Sequence, residues 1–409
     1  MVQNVAVRKI SLANYKGLMS PKDYSQILAQ AKSLKGLRVL HVNTSTDGGV
    51  GEILKTLVPL LQDVGIESEW VIFDKNNKFF KVSKELHNFL QGKKGDLTTE
   101  QKDLYLSVNE RLAQVLNQRQ FDILLIHDPQ PAAAITFIPN RISSIWRCHI
   151  DTSKTNVFVW NWFSKFLPKY DRYIFTLRKY IGKDLDYKKC RIIPPAIDPL
   201  SEKNDPLDKM ASDRIVKKFG VDPAKPLVSQ ISRFDPWKDP WGVMDAYREA
   251  KKEISNLQLG LVGVFAPDDP EAKEVVADLR KYAKSDPDIH ILSNLDGVGN
   301  LEVNGFQVAS DVIIQKSIRE GFGLTVSEGM WKEKPIIGGK AGGIVEQIVD
   351  GDTGFLVTTA HETAEKIVYL LKNPDAANKM GVRGKDRVRQ HFLITRLLLD
   401  HLRLYDELV

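Results

Sequence analysis

From about residue 38 onward, short runs rich in Val, Ile and Leu alternate with longer stretches whose apolar residues recur at helical spacing. That alternation predicts βαβ units on a parallel sheet, an α/β fold. A first strand is expected at 37–42, then a loop at 43–51, then a helix carrying Ile53, Leu54, Leu57 and Leu61 and ended by Gly65. Further strands are expected at 70–73, 123–126, 144–150, 173–176 and 191–193, which completes one doubly wound half. Pro194, Pro195, Pro199 and Pro206 then crowd together with Ser201, Asn204 and Asp205, a stretch that holds neither helix nor central strand easily. A second α/β series follows, with strands at 227–232, 258–264, 289–292, 312–315, 335–337 and 355–357. The expected domains are therefore an accessory segment at 1–36 with a helix around 23–34, a Rossmann-like domain at 37–198, a second at 199–393, and a C-terminal helix within 394–409. Two doubly wound domains facing across a cleft is the economical architecture, with ligands beyond the carboxyl ends of the strands.

Composition narrows the class. A chain of 409 residues exceeds what one hydrophobic core usually supports. A net charge of +6 is a small bias at this length, and no Lys/Arg block is interleaved with aromatics, so a solvated basic surface is preferred to a nucleic-acid site. Cys148 and Cys190 are the only cysteines, which leaves no C-x-x-C pair, zinc spacing or disulfide framework and suggests two buried, inert thiols. The first twenty residues lack a signal-peptide apolar run and no run reaches the ~18 residues of a membrane span, so a soluble, cytoplasmic protein without a membrane partner is expected.

Five segments could carry chemistry. Gly48-Gly49-Val50-Gly51 lies between a strand and a helix, where backbone N–H groups and the helix dipole can hold a phosphate or a sugar edge. Leu54 stands where the third glycine of a dinucleotide fingerprint belongs, so an NAD reading leans on Asp74; a tight turn with no ligand is the bland alternative. Arg233 and Lys238 follow the first strand of the second series and could converge on one diphosphate, or could be surface cations paired with Asp235 and Asp239. Glu320-Gly321-Phe322-Gly323 precedes a helix holding Glu328; two carboxylates at this spacing suit hydroxyl recognition, while a helix-capping Glu328 is the alternative. In the first series His127-Asp128-Pro129-Gln130-Pro131 and Trp146-Arg147-Cys148-His149-Ile150-Asp151 stand at strand ends. A satisfied core histidine is the plain reading of His127, and an Arg147–Asp151 salt bridge weighs equally with a binding role for both residues.

Together with Gly338-Gly339-Lys340-Ala341-Gly342-Gly343-Ile344-Val345-Glu346 and Asp350-Gly351-Asp352-Thr353-Gly354-Phe355-Leu356-Val357, these motifs resemble the retaining, nucleotide-sugar-dependent glycosyltransferases of the GT-B fold, the large family that includes sucrose-phosphate synthase. The resemblance spans most of the chain from about residue 37. It implies that Arg233 and Lys238 bind the donor diphosphate, that Glu328 holds the ribose hydroxyls and that Glu320 reaches the donor hexose. Backbone N–H groups near Phe322, Gly323 and Leu324 would complete the cradle, and Gly48, Gly49 and Gly51 would approach from the first domain. It also implies that His149 faces the donor hexose, that Asp128 and Gln130, with Arg147 and Asp151, serve the acceptor, and that the terminal helix crosses back to the first domain. The catalytic set would be Glu320, His149, Arg233 and Lys238.

The pairing of HDPQP with WRCHID resembles one subgroup, the trehalose glycosyltransferring synthases and the related trehalose phosphorylases, which narrows the acceptor to glucose. The expected reaction moves glucose from ADP- or UDP-glucose to glucose with retention. The sequence offers no convincing double-displacement nucleophile and no Asp-x-Asp metal motif at a strand end, so no protein-bound metal or tightly bound cofactor is expected and Mg²⁺ would assist only the free nucleotide. The amphipathic N-terminal segment suits either a homodimer or an intramolecular contact. A phosphorylase and a non-catalytic nucleotide-sugar sensor are the rival readings.

Overall fold

The computed structural model describes residues 2–73, 77–138, 142–263 and 270–409; Asp74 and Val264 lie outside the described residues. The chain divides into two compact units, Met1–Ala196 with Ile394–Val409, and Ile197–Leu393.

The first unit is built on seven strands: β1 Val2–Asn4, β2 Arg38–Asn43, β3 Glu67–Phe73, β4 Ile123–His127, β5 Ser143–Cys148, β6 Arg172–Phe175 and β7 Cys190–Ile192. Their order is β1-β3-β2-β4-β5-β6-β7, parallel throughout except for β1. β4 reads ILLIH without alternation because both faces of a parallel sheet are covered, and every one of its residues is buried. β1 corrects the expectation that no strand precedes residue 37. Its three residues carry no apolar pattern; backbone pairing to the open edge of β3 places them, with Val2 opposite Phe73 and Val5 N–H bonded to the Trp70 carbonyl at 2.9 Å. β5 ends two residues before the expected 150, because the His149 N–H leaves the ladder for Asp128 Oδ1 at 2.9 Å.

The helix Pro21–Ser33 starts at Ser20, whose hydroxyl accepts the Asp23 N–H, with proline in the first helical position. It buries Ile27 and Ala31 and packs on the helix Ile394–Asp406, so much of its apolar face is covered within the unit. The terminal helix also touches the helix Gly48–Asp63, and Arg396 pins it to the Pro194 and Pro195 carbonyls at 2.7 and 3.0 Å.

The second unit holds six parallel strands: β8 Leu227–Ile231, β9 Gln258–Gly263, β10 Ile289–Ser293, β11 Val312–Gln315, β12 Ile336–Gly339 and β13 Phe355–Val357. The order β10-β9-β8-β11-β12-β13 runs outward one way from β8 and the other way from β11. That reversal is the topological switch point, where the loops after neighbouring strands part and leave room for a ligand. In the first unit the corresponding reversal lies between β2 and β4. Both cysteines are free thiols pushed up in pKa by burial, Cys190 to about 11; Cys148 is buried and Cys190, contrary to expectation, only partly so. Among the described residues no helix is long and apolar enough to cross a membrane.

Candidate active site

In the second unit the residues singled out by sequence gather at the switch point. The loop after β8 turns through Pro236–Lys238, where Asp235 caps the turn by accepting the Trp237 N–H at 2.9 Å. Asp239 then adopts a left-handed conformation, φ 50°, which aspartate tolerates better than most residues. Its carboxylate caps the helix Pro240–Lys251 through the Gly242 N–H at 3.2 Å and pairs with Lys316. The loop after β11 is stitched to this one: Ile318 N–H donates to the Trp237 carbonyl at 2.8 Å, and the Arg319 guanidinium lies 4.8 Å from the centre of the Trp237 ring.

Across the stitched loops Lys238 Nζ meets Glu320 Oε2 at 2.5 Å, with the two side chains 13% and 10% exposed. Glu320 also accepts the Ser317 hydroxyl at 3.2 Å. The surface-pair alternative is thus half realised: Arg233, half exposed, does pair with Asp235 at 3.3 Å, but Lys238 turns inward to Glu320 and leaves Asp239 to Lys316. Gly323, at φ 84°, starts the helix Leu324–Trp331 without a side-chain cap. Phe322 is buried, and its carbonyl accepts the Gln347 amide at 2.6 Å. Behind this turn the later glycine run explains itself: a Cβ on Gly343 would lie 2.6 Å from Phe322 Cα and 2.9 Å from the Gly321 carbonyl oxygen.

Glu328 is the fifth residue of its helix and caps nothing. It is 2% exposed; Oε2 accepts the Gln307 amide at 3.0 Å and Oε1 faces Lys203 Nζ at 3.5 Å. Burial pushes its carboxyl pKa up, but the Lys203 and Lys332 cations and the Gln307 amide outweigh it and hold the group below the usual glutamate range. Lys332 is itself pushed down to about 7 by burial, with Glu328 partly restoring it, and donates to Asn204 Oδ1 at 2.8 Å. Sequence reasoning passed over Lys203, Gln307, Lys316 and Lys332. Lys332 sits four residues after Glu328, at the C-terminal cap of the same apolar helix, which was a readable signal; the others are brought in by tertiary contact.

In the first unit Gly48–Gly51, expected in the loop after β2, instead forms the first turn of the helix Gly48–Asp63, so the loop is only 44–47. Gly48 has φ 77°, and a Cβ on Gly51 would strike the Thr46 carbonyl oxygen at 2.2 Å, while Gly49 is exposed. Leu54 is fully buried, so the fingerprint's third glycine is replaced by a core residue. His127 is not alone. His41 Nδ1 lies 3.1 Å from His127 Nε2, and His127 Nδ1 lies 3.0 Å from His149 Nε2, with successive rings stacked at 5.4 and 5.3 Å. Burial pushes the pKa of all three down, that of His41 to about 3, with the Arg147 cation adding to it; His149 adds to it at His127. Asp128, left-handed at φ 65°, accepts the His149 N–H, and its carbonyl accepts Trp146 Nε1–H at 3.0 Å. Burial raises its pKa to about 7 against the His149 N–H and Arg147, which lower it.

Arg147 does not join this group. It is 2% exposed, its guanidinium directed to His401 Nε2 at 3.1 Å and the Ile193 carbonyl at 3.3 Å. The salt-bridge alternative is not realised either, since Asp151 Oδ1 instead accepts the Ser153 N–H at 2.9 Å. Gln130 Oε1 is buried and, among the described residues, without a hydrogen-bond partner. His41 was missed because a histidine inside an apolar strand reads as core.

Comparison with known proteins fixes the class. Residues 41–182 match the family described as trehalose synthase, N-terminal domain, and residues 211–387 match glycosyl transferases group 1. A trehalose synthase of Pyrococcus horikoshii is 49% identical over 397 residues, which cover 97% of this chain and 96% of that one. The chain belongs to the trehalose synthase family. It is accordingly a trehalose-related glycosyltransferase. Two solved structures share its GT-B fold at low identity. Sucrose-phosphate synthase from Thermosynechococcus elongatus matches with a TM-score of 0.70 at 16% identity, over 91% of this chain and 99% of that chain. Anabaena HepE, crystallised with UDP-glucose, matches with a TM-score of 0.71 at 16% identity, over 90% and 99%. Within the trehalose synthase family, the stitched loops of the second unit and the histidine row of the first stand as the candidate chemistry.

Proposed function

We propose that this chain moves the glucosyl group of a nucleoside diphosphate glucose, in its ADP or UDP form, to free glucose with retention at the anomeric carbon, giving α,α-trehalose. The observation that carries the reading is the Lys238–Glu320 pair, 2.5 Å apart beside the open helix start at Gly323. A carboxylate suited to a sugar hydroxyl and a cation suited to a phosphate thus sit side by side, at the point in a parallel sheet where ligands bind. In the reaction the bond from C1 to the β-phosphate oxygen breaks, the acceptor oxygen bonds to C1 on the same face, and the acceptor's hydroxyl proton passes to the departing phosphate. Charge grows on that phosphate. Lys238, Arg233 and the N–H groups at Gly323 and Leu324 stabilise it, and fixed donors of this kind act most strongly where charge develops.

Glu320 takes a donor hexose hydroxyl and Glu328 the ribose hydroxyls. Gln307 at Oε2 and Lys203 at Oε1 hold the Glu328 carboxylate in its ionised form, so it remains a strong acceptor. Gly48, Gly49 and Gly51 serve the donor from the first unit, and His149, Asp128, Gln130 and Asp151 the sugars; Arg147 supports from the buried side. Mg²⁺ is assigned to the free nucleotide. HepE, named with UDP-glucose, supports the choice of donor class, and the trehalose synthase relatives support the product.

Initial rates with ADP-glucose, UDP-glucose and glucose 1-phosphate, each with glucose as acceptor, test the reading. Turnover with a nucleotide donor supports it. Turnover with glucose 1-phosphate alone would replace it with a phosphorylase, and donor binding without turnover would replace it with a sensor.

A further inference from the structure

His41, His127 and His149 stand on β2, on β4 and just past β5, and the strand registers set their spacing. His41 pairs with Leu125 and His127 with Arg147, so the three histidines lie on one face of the sheet and advance two residues at each neighbouring strand. Such diagonal neighbours are within reach of ring side chains. The row begins at His41, fully buried, passes through His127, 3% exposed, and ends at the partly exposed His149 at the ligand-binding end of the sheet.

The row has two self-consistent polarities. In one, each Nδ1–H donates to the next Nε2, and His149 ends the row with Nδ1–H; in the other, each Nε2–H donates back, and His149 ends with a bare Nδ1. The deep end decides between them. His41 Nε2 is buried without a hydrogen-bond partner among the described residues, so the second polarity would strand an N–H donor in the core, whereas the first leaves only an unused lone pair. Buried N–H groups without an acceptor are rarer than under-used acceptors. His401 is oriented separately: its Nδ1–H donates to the Leu397 carbonyl at 2.8 Å, which leaves Nε2 to accept from Arg147 at 3.1 Å.

We propose that His41 and His127 are positioning residues that act through His149, holding it neutral in the Nδ1–H tautomer so that it offers a donor to a sugar oxygen. The inference rests on the reading that His149 meets the sugar. It adds that His149 cannot serve as the base for the acceptor hydroxyl, because the nitrogen it presents already carries a proton; the departing phosphate is left to take that proton.

Long-range ¹H–¹⁵N correlation on the full chain labelled at histidine, at neutral pH and without ligand, reads each tautomer directly. Protonated Nδ1 on His41, His127 and His149 is expected; protonated Nε2 on His149 or His41 would overturn the proposal. Kinetics supply the second arm. His127→Leu keeps bulk but removes the donor to His149 Nε2, and is expected to lower kcat roughly tenfold or more with KM for the donor nearly unchanged. His127→Asn, whose amide can donate from nearly the same place, is expected to recover most of that loss. Equal kcat in His127→Leu and wild type, or equal loss in the Leu and Asn variants, would overturn it. If the Leu variant fails to fold, the wild-type spectrum decides. Full activity in His149→Ala would instead overturn the sugar contact, and the spectrum would still report the polarity of the row.

Discussion

Acidification should destabilise the first unit by an amount the buried imidazoles set. His41, His127, His149 and His401 all have pKa values pushed down by burial, reinforced by the Arg147 cation, His41 to about 3. Their folded values lie below the ~6.5 of an unfolded histidine, so the unfolded chain takes up protons that the fold refuses. The stability they contribute is full above ~pH 6.5 and is lost as pH falls. Between pH 7 and 5.5 linkage gives about 1.2 kcal/mol lost per histidine and about 5 kcal/mol for the four. Asp128 opposes them. With its folded pKa raised to about 7, it binds its proton in the fold first and returns about 1.6 kcal/mol over the same interval. The net loss is about 3 kcal/mol. Urea unfolding followed by tryptophan fluorescence at the two pH values measures it, and His41→Phe should shrink the loss by about one histidine's share. An unfolding free energy that stays constant or rises on acidification would refute the claim that these imidazoles are neutral in the fold.

Three further outcomes follow from the second unit. Lys238→Ala should lower kcat by roughly 10² to 10³ while circular dichroism still shows a folded protein, because the cation proposed to face the departing phosphate is gone; a wild-type rate contradicts that role. Glu328→Gln should raise KM for a nucleotide donor by roughly tenfold, the equivalent of about 1.4 kcal/mol, and change kcat less, as expected of a ribose contact felt equally before and during reaction. Gly343→Ala should lower stability by about 1 to 3 kcal/mol in thermal melts and reduce activity with it, since the new methyl group presses on the backbone of Gly321 and Phe322.

The strands were largely legible because buried parallel strands are written as apolar runs, and β11 and β13 stand at the expected bounds. The glycines and acids of the 320–328 segment were legible because close approach and helix starts demand particular residue types at particular spacings. Partnerships across the sheet were not. Nothing near Lys238 in sequence distinguishes Asp239 from Glu320 as its partner; the register of β8 against β11 and the Trp237–Ile318 stitch decide it. Arg147 reads as a site residue in WRCHID, yet the terminal helix, far away in sequence, supplies His401 to hold it on the buried side. β1 was invisible for the same reason, since an edge pairing needs backbone rather than pattern.

The central claim is transfer of a glucosyl group from a nucleotide donor to free glucose with retention. It is tested most directly by incubating the enzyme with unlabelled nucleoside diphosphate glucose and glucose labelled with ¹³C at C1, then following the product by NMR. The account predicts a single disaccharide with both anomeric centres α, one labelled ring and one unlabelled ring joined through C1. A β centre at the transferred glucosyl unit, a linkage to another acceptor carbon, or release of unlabelled free glucose alone would contradict it.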